Sequence, residues 1–273
     1  MKKNVFVTVA LVFAFVSGLF VSCQKSNDSL IRVGVCAGPY GDMFIEGIKP
    51  ELEKKGYKIK IVDFSDYVQP NIALAENEID VNVFQHSTYL KKFSADHGLK
   101  LSYLTEIPTA AMGIFSDKYD SISSLPQGSV IAIPNDDTNL SRALRVLAQT
   151  GAIKLNSKID ASKATVKDIS ENPKAFTFKE VNAEILPGVL DSVGAAIING
   201  NYAMSAGLKL SNAIYNEQLA AGYFNVIAVR TDDYEKDFSK EIYNIVHSNG
   251  FRSIIEDPSK QYVAFGRPVD YEK

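Results

Sequence analysis

The sequence predicts an α/β chain divided into two lobes. Three observations carry that expectation. Apolar residues switch repeatedly between strict alternation and helical spacing, the pattern of strands followed by helices in largely parallel sheets. The 273 residues exceed a typical single domain. No Pro/Gly/Ser-rich linker divides the chain, so two lobes require a chain that crosses between them more than once. Crevices in such folds lie at the carboxyl ends of the strands.

Lys2 and Lys3 precede an apolar run from Val5 to Val16, which resumes as Leu19-Phe20-Val21 and closes at Ser22-Cys23. A basic start, an apolar middle and a small residue at the cut form the layout of a secretory signal peptide over residues 1–22. The competing reading is a retained transmembrane anchor, and the run is near the lower limit for spanning a bilayer. Cys23 decides between them, because it stands after Ser22 and before the polar stretch Gln24-Lys25-Ser26-Asn27-Asp28-Ser29. The segment resembles a bacterial lipoprotein signal, which implies acylation of Cys23 and a short tether over residues 23–29.

Removing the first 22 residues leaves 251 and moves the net charge from −3 to −5, since Lys2 and Lys3 go with them. A mildly acidic chain has no electrostatic footprint for nucleic acid. With Cys23 acylated, Cys36 has no intrachain partner, and its place in an apolar strand pattern predicts a small core residue.

The elements follow in order. Ile31, Val33 and Val35 alternate as a strand, and Phe44, Ile45, Ile48 and Leu52 recur as a helix stopped by Gly56 and bent by Pro50. Ile59, Ile61 and Val62 make the next strand, 72–75 a short helix and 81–84 a strand. Residues 129–134 lead as a strand into a helix over about 139–149. Two further buried strands cover 195–198 and 225–230, the second followed by a helix carrying Phe238, Ile242, Ile245 and Val246.

Catalytic and metal signatures are sparse. His86, His97 and His247 are far apart, and none sits in a zinc-like spacing. Neither a Gly-x-Ser-x-Gly elbow nor a phosphate-cradling Gly-x-x-x-x-Gly-Lys loop occurs. No cofactor is expected. His97 and His247 fall in helical patterns and read as surface or boundary residues.

Four stretches place polar and aromatic residues at strand ends: 63–71, 80–90, 133–144 and 195–203. Thr138 or Asn139 is a candidate cap for the helix that follows, whose N-terminus offers free N–H groups. Arg142, placed in the first turn, adds a fork suited to a carboxylate, although pairing with a surface acid is the commoner fate of a lone arginine. Tyr67, Phe84, His86 and Tyr89 could wall a slot for an apolar side chain. Core packing is the competing role, and periodicity alone favours it for Phe84.

These stretches resemble the methionine-binding lipoproteins of bacterial ABC importers, the MetQ/NlpA family. The likeness runs from Ile31-Arg32-Val33-Gly34-Val35 almost to the C-terminus and includes Gly38-Pro39 and Asn225-Val226-Ile227. The strings at Asp66-Tyr67-Val68-Gln69-Pro70-Asn71 and Phe84-Gln85-His86 are its most specific parts. Tyr40 stands where the family often has His, and Thr88 where it often has Pro. The resemblance implies a two-lobed periplasmic-binding-protein fold of type II-like form with the ligand in the inter-lobe cleft. It implies lobe 1 over 30–110 plus 226–273 and lobe 2 over 111–225, with crossings near 108–113 and 223–225. Arg142 would take the α-carboxylate of L-methionine. Asn199 and Asn225 would hold the ligand's backbone polar groups, with Asn201 a weaker candidate, and Tyr67, Phe84, His86 and Tyr89 would wall the side-chain slot. The implied partners are an ABC permease and ATPase complex and, through the lipid, the membrane. Competing readings are another small amino acid or a methionine-containing peptide as ligand, a surface adhesin without a small ligand, and an enzyme using His86.

Overall fold

The structure, a computed structural model, describes residues 29–272; the signal segment and Cys23 lie outside them. Two five-stranded sheets organise the chain. The first is built from β1 (Leu30–Cys36), β2 (Lys58–Phe64), β3 (Val81–His86), β4 (Leu101–Ile107) and β12 (Asn225–Arg230) in the order β2-β1-β3-β12-β4. β1 pairs in parallel with β2 and β3, while β12 runs antiparallel to β3 and β4. The second sheet holds β5 (Gly113–Phe115), β6 (Val130–Pro134), β9 (Thr177–Val181), β10 (Ala195–Ile198) and β11 (Tyr215–Asn216) in the order β11-β5-β10-β6-β9. A small hairpin of β7 (Lys154–Leu155) and β8 (Ile169–Glu171) stands apart. The two-lobed α/β expectation holds. The chain passes between the sheets from Ile107 to Gly113 and returns between Asn216 and Asn225.

Both sheets are covered on both faces, so their central strands are buried along their length, and the polar residues of β3 pair with other buried groups. All six residues of β3 and all four of β10 are buried. Ile31, Val33, Phe44, Val81 and Ile242 share the core on one face of the first sheet, and Leu74, Ile79, Leu90 and Val226 that on the other. The second sheet has matching cores, with Ile131, Leu144, Leu147 and Ile197 on one side and Ala132, Leu186, Ile198 and Tyr202 on the other. Each fully buried Ile, Leu or Phe contributes about 1.5–3 kcal/mol of transfer free energy. Cys36 is a buried free thiol in a small cluster with Phe84, Tyr89 and Phe93, and burial pushes its pKa up.

Two local expectations are corrected. The helix after β1 is two helices, α1 (Pro39–Gly47) and α2 (Lys49–Lys54), divided at Ile48. Pro50 sits in the first turn of α2, where its missing N–H costs nothing, so it starts a helix rather than bending one. The helix after β6 is α5 (Asp137–Gln149), and its N-cap is Asp136, not Thr138 or Asn139. Asp136 is extended, with φ −77° and ψ 140°, and its Oδ1 accepts the Asn139 N–H at 2.9 Å. Arg142 consequently lies in the second turn of α5 rather than the first.

Candidate functional site

A small cavity lies between the sheets, and Tyr67, Phe84, His86, Tyr89, Arg142, Asn199 and Asn225 all line it. Tyr40, Gln85, Asn139 and Asn201 join them.

One wall comes from the end of β3 and the start of α4 (Ser87–His97). The Tyr67 ring lies 5.7 Å from Phe84 and 6.0 Å from Tyr89, and Phe84 lies 6.2 Å from Tyr89. These tilted and edge-on contacts suit aromatic quadrupoles. Tyr89 Oη donates to the Tyr67 carbonyl at 3.1 Å. Behind the wall, the two distinctive strings meet: Asn71 Nδ2 donates to Gln85 Oε1 at 2.8 Å, and Gln85 Nε2 donates to Asn71 Oδ1 at 2.6 Å. Asn82 completes this buried amide cluster, whose donors and acceptors pair with each other.

His86 is the N-cap of α4, and its Nδ1 accepts the Tyr89 N–H at 3.1 Å. The ring proton of the neutral imidazole therefore resides on Nε2, which faces Asn139 Oδ1 at 3.4 Å. Burial, and then the nearby Arg142 charge, hold the His86 pKa well below 6.5. His86 is thus a fixed, uncharged donor.

The opposite end of the cavity is polar. Arg142 is buried and forms a forked pair with Glu217: Nε reaches Oε1 at 2.9 Å and Nη2 reaches Oε2 at 2.6 Å. Burial disfavours the Arg142 charge, and the Glu217 carboxylate more than offsets this, so the pKa is raised. Glu217 Oε2 also accepts the Met112 N–H at 3.1 Å. The pair uses Nε and Nη2, which leaves the Nη1 end of the guanidinium outside it. Tyr223 lies under both Arg142 and Arg145, whose guanidinium carbons are 5.3 and 4.4 Å from its ring centre.

The asparagines divide into two kinds. Asn199 Nδ2 donates to Asn139 Oδ1 at 2.8 Å, while its buried Oδ1 has no hydrogen-bond partner among the described residues. Asn225 Nδ2 is spent on the Phe84 carbonyl at 2.9 Å, leaving its Oδ1. Asn201 is committed at both ends, for its Oδ1 accepts from Tyr67 Oη at 2.7 Å and its Nδ2 donates to the Ala37 carbonyl at 2.9 Å. Those bonds join residues of the second sheet's layer to the first, so Asn201, while lining the cavity, fastens the cleft. Two glycines permit this closeness. A Cβ on Gly38, whose φ is +124°, would stand 2.6 Å from Asn201 Cβ, and one on Gly200 would stand 2.6 Å from Ala110 Cβ.

A buried cation half-used by Glu217, two unspent amide oxygens and a wall of rings together fit a small zwitterion with an apolar side chain. The residues 31–265 match the model of the NlpA lipoprotein family. The chain belongs to that family. The D-methionine-binding lipoprotein MetQ of Escherichia coli O157:H7 is 35% identical over 250 residues, covering 89% of this chain and 92% of the relative. Membrane lipoprotein TpN32 of Treponema pallidum (strain Nichols) is 35% identical over 211 residues, 77% of this chain and 78% of that one. The solved structure of a nutrient binding protein from Burkholderia cenocepacia bound to methionine superposes with a TM-score of 0.80 at 38% identity, covering 86% of this chain and 97% of that one. As a member of the NlpA lipoprotein family, the chain is a membrane-anchored extracytoplasmic lipoprotein.

Glu217 and Tyr223 are the cavity-end residues that sequence reasoning missed. Glu217 sits in a polar run, Asn216-Glu217-Gln218, that looks solvated. Its signal is indirect, since a buried arginine requires an acid, and nothing in the local sequence says which.

Proposed function

We propose that this chain captures L-methionine between its lobes and delivers it to an ABC permease and ATPase complex, with acylated Cys23 holding it at the membrane. The observation that carries the reading is the meeting of Arg142, Asn199 Oδ1 and Asn225 Oδ1 with the aromatic wall in one cavity. A free amino acid is a zwitterion. Its carboxylate would accept from the free Nη1 end of Arg142, and its ammonium would donate to the two amide oxygens. The thioether would lie against Tyr67, Phe84 and Tyr89, where sulfur–aromatic contacts contribute about 0.3–1.5 kcal/mol each. The relatives named as D-methionine-binding lipoproteins and the methionine-bound neighbour favour methionine over other amino acids. A role in binding rather than catalysis accords with His86, whose ring nitrogens are both engaged and whose charge is suppressed.

The lobes proposed are 30–110 with 226–273, and 111–225, turning about 108–113 and 223–225. Ligand favours the closed state only by the excess of its affinity for that state, and closure presents one shape to the importer. Identifying what the purified protein releases on denaturation tests the reading: methionine supports it, and a peptide, another amino acid or no small molecule replaces it. Calorimetry then assigns the site. Arg142→Ala, in protein with a native circular dichroism spectrum, loses at least about thirtyfold in methionine affinity; unchanged affinity removes Arg142 from the site.

A further inference from the structure

We propose that Asp136 is a positioning residue that sets the direction of a hydrogen-bond chain ending at Asn199, so that the cavity presents an acceptor and selects ligands bearing an amine. The inference rests on the amino-acid reading above. The Asp136 carboxylate anchors one end of that chain. A carboxylate only accepts, and Asp136 takes Asn139 Nδ2 at 3.1 Å on both of its oxygens, besides the Asn139 N–H and the Thr138 hydroxyl. Asn139 must therefore turn its amide nitrogen towards Asp136 and its oxygen away.

That oxygen faces two donors, Asn199 Nδ2 at 2.8 Å and His86 Nε2 at 3.4 Å. The His86 side agrees independently, because the Tyr89 N–H occupies Nδ1 and leaves the proton on Nε2. With its nitrogen used, Asn199 has only Oδ1 to offer, and this atom is buried and unpartnered among the described residues. An isolated asparagine could flip and present either end. Here a flip of Asn199 alone would set its oxygen against Asn139 Oδ1, and a flip of both amides would set the Asn139 oxygen against the Asp136 carboxylate and its nitrogen against the His86 Nε2 proton. An α-amino group supplies the missing donor, whereas a carboxylic acid lacking the amine leaves Oδ1 desolvated and unpaired.

Asp136→Asn separates this role from helix capping, because Asn caps a helix about as well as Asp but no longer forces Asn139 to donate. Wild type and variant are titrated calorimetrically with methionine, with 4-(methylthio)butanoate, which lacks the amine, and with the 2-hydroxy analogue. Their melting curves are recorded alongside. The expected result is a near-native melting curve and a methionine-to-deaminated-analogue preference reduced about tenfold or more. The hydroxy analogue, able to accept as well as donate, should lose less than methionine. Asp136→Ser, a second good cap that cannot accept from Asn139 in two directions, serves where Asp136→Asn fails to fold. An unaltered preference ratio in a folded variant that binds methionine overturns the positioning role alone. Wild-type protein that binds none of the three compounds overturns the methionine reading and this inference with it.

Discussion

The two ends of the cavity are built differently. The aromatic wall draws Tyr67, Phe84 and Tyr89 from neighbouring stretches of the first lobe, and it is self-satisfied: the rings pack on each other and both tyrosine hydroxyls have protein partners. The polar end collects Arg142 from α5, Asn199 from the end of β10, Glu217 from the return crossing and Asn225 from the start of β12. It keeps an unpartnered buried oxygen on Asn199. A wall whose polar groups are all partnered by protein behaves as core, whereas an end that lacks partners is finished by a ligand. Substitution in the wall should therefore cost stability first, and substitution in the polar end should cost binding first.

Glu217 is the expected exception and the strongest challenge to that division. Glu217→Ala strands a buried guanidinium, so it should lose about 3–5 kcal/mol of stability in urea unfolding despite lying at the polar end. The double variant Arg142→Met, Glu217→Leu should recover much of that stability while remaining unable to bind methionine. A small loss in Glu217→Ala would mean that the pair is hydrated, and the cavity's polar end would not be the dry site described.

His86 joins the two ends, and pH reports on it. Its pKa is depressed in the fold, chiefly by burial, from 6.5. Below about pH 6.5 the unfolded chain takes up a proton that the folded chain refuses. Stability should accordingly fall as pH drops through that value, by up to about 1.4 kcal/mol per pH unit from this group. Above it the contribution vanishes. Comparing urea midpoints of wild type and His86→Gln between pH 5 and 7.5 isolates the slope, which should be shallower in the variant.

The smallest effect concerns closure. Asn201→Ala removes one bond to Tyr67 and one to Ala37, each worth about 0.5–1.5 kcal/mol. Because these bonds span the cleft, the ligand-free protein should become more open in small-angle scattering, with methionine affinity reduced about tenfold. A normal closed profile with a lost affinity would instead make Asn201 a ligand contact.

Local pattern was enough for the strands and helices whose periodicity reflects one buried face. β12 begins at Asn225 and ends at Arg230, where a short continuous apolar run between polar residues places it as a buried strand. The aromatic wall was also legible, because Tyr67, Phe84, His86 and Tyr89 crowd two short stretches at strand ends. Helix starts were less so. Asp136, Thr138 and Asn139 are all good caps, and only the backbone angles select among them.

What the sequence by itself determined is the alternation of strands and helices, the signal-like start and the residue types available to a cleft. Tertiary structure alone decided who pairs with whom. Arg142 finds Glu217 across 75 positions, and Tyr67 finds Asn201 across 134. Periodicity reports burial of a face, which is a local property of a strand or helix. A buried charge or amide is instead satisfied by whichever group the fold brings within about 3 Å, and that group leaves no mark on the neighbouring residues.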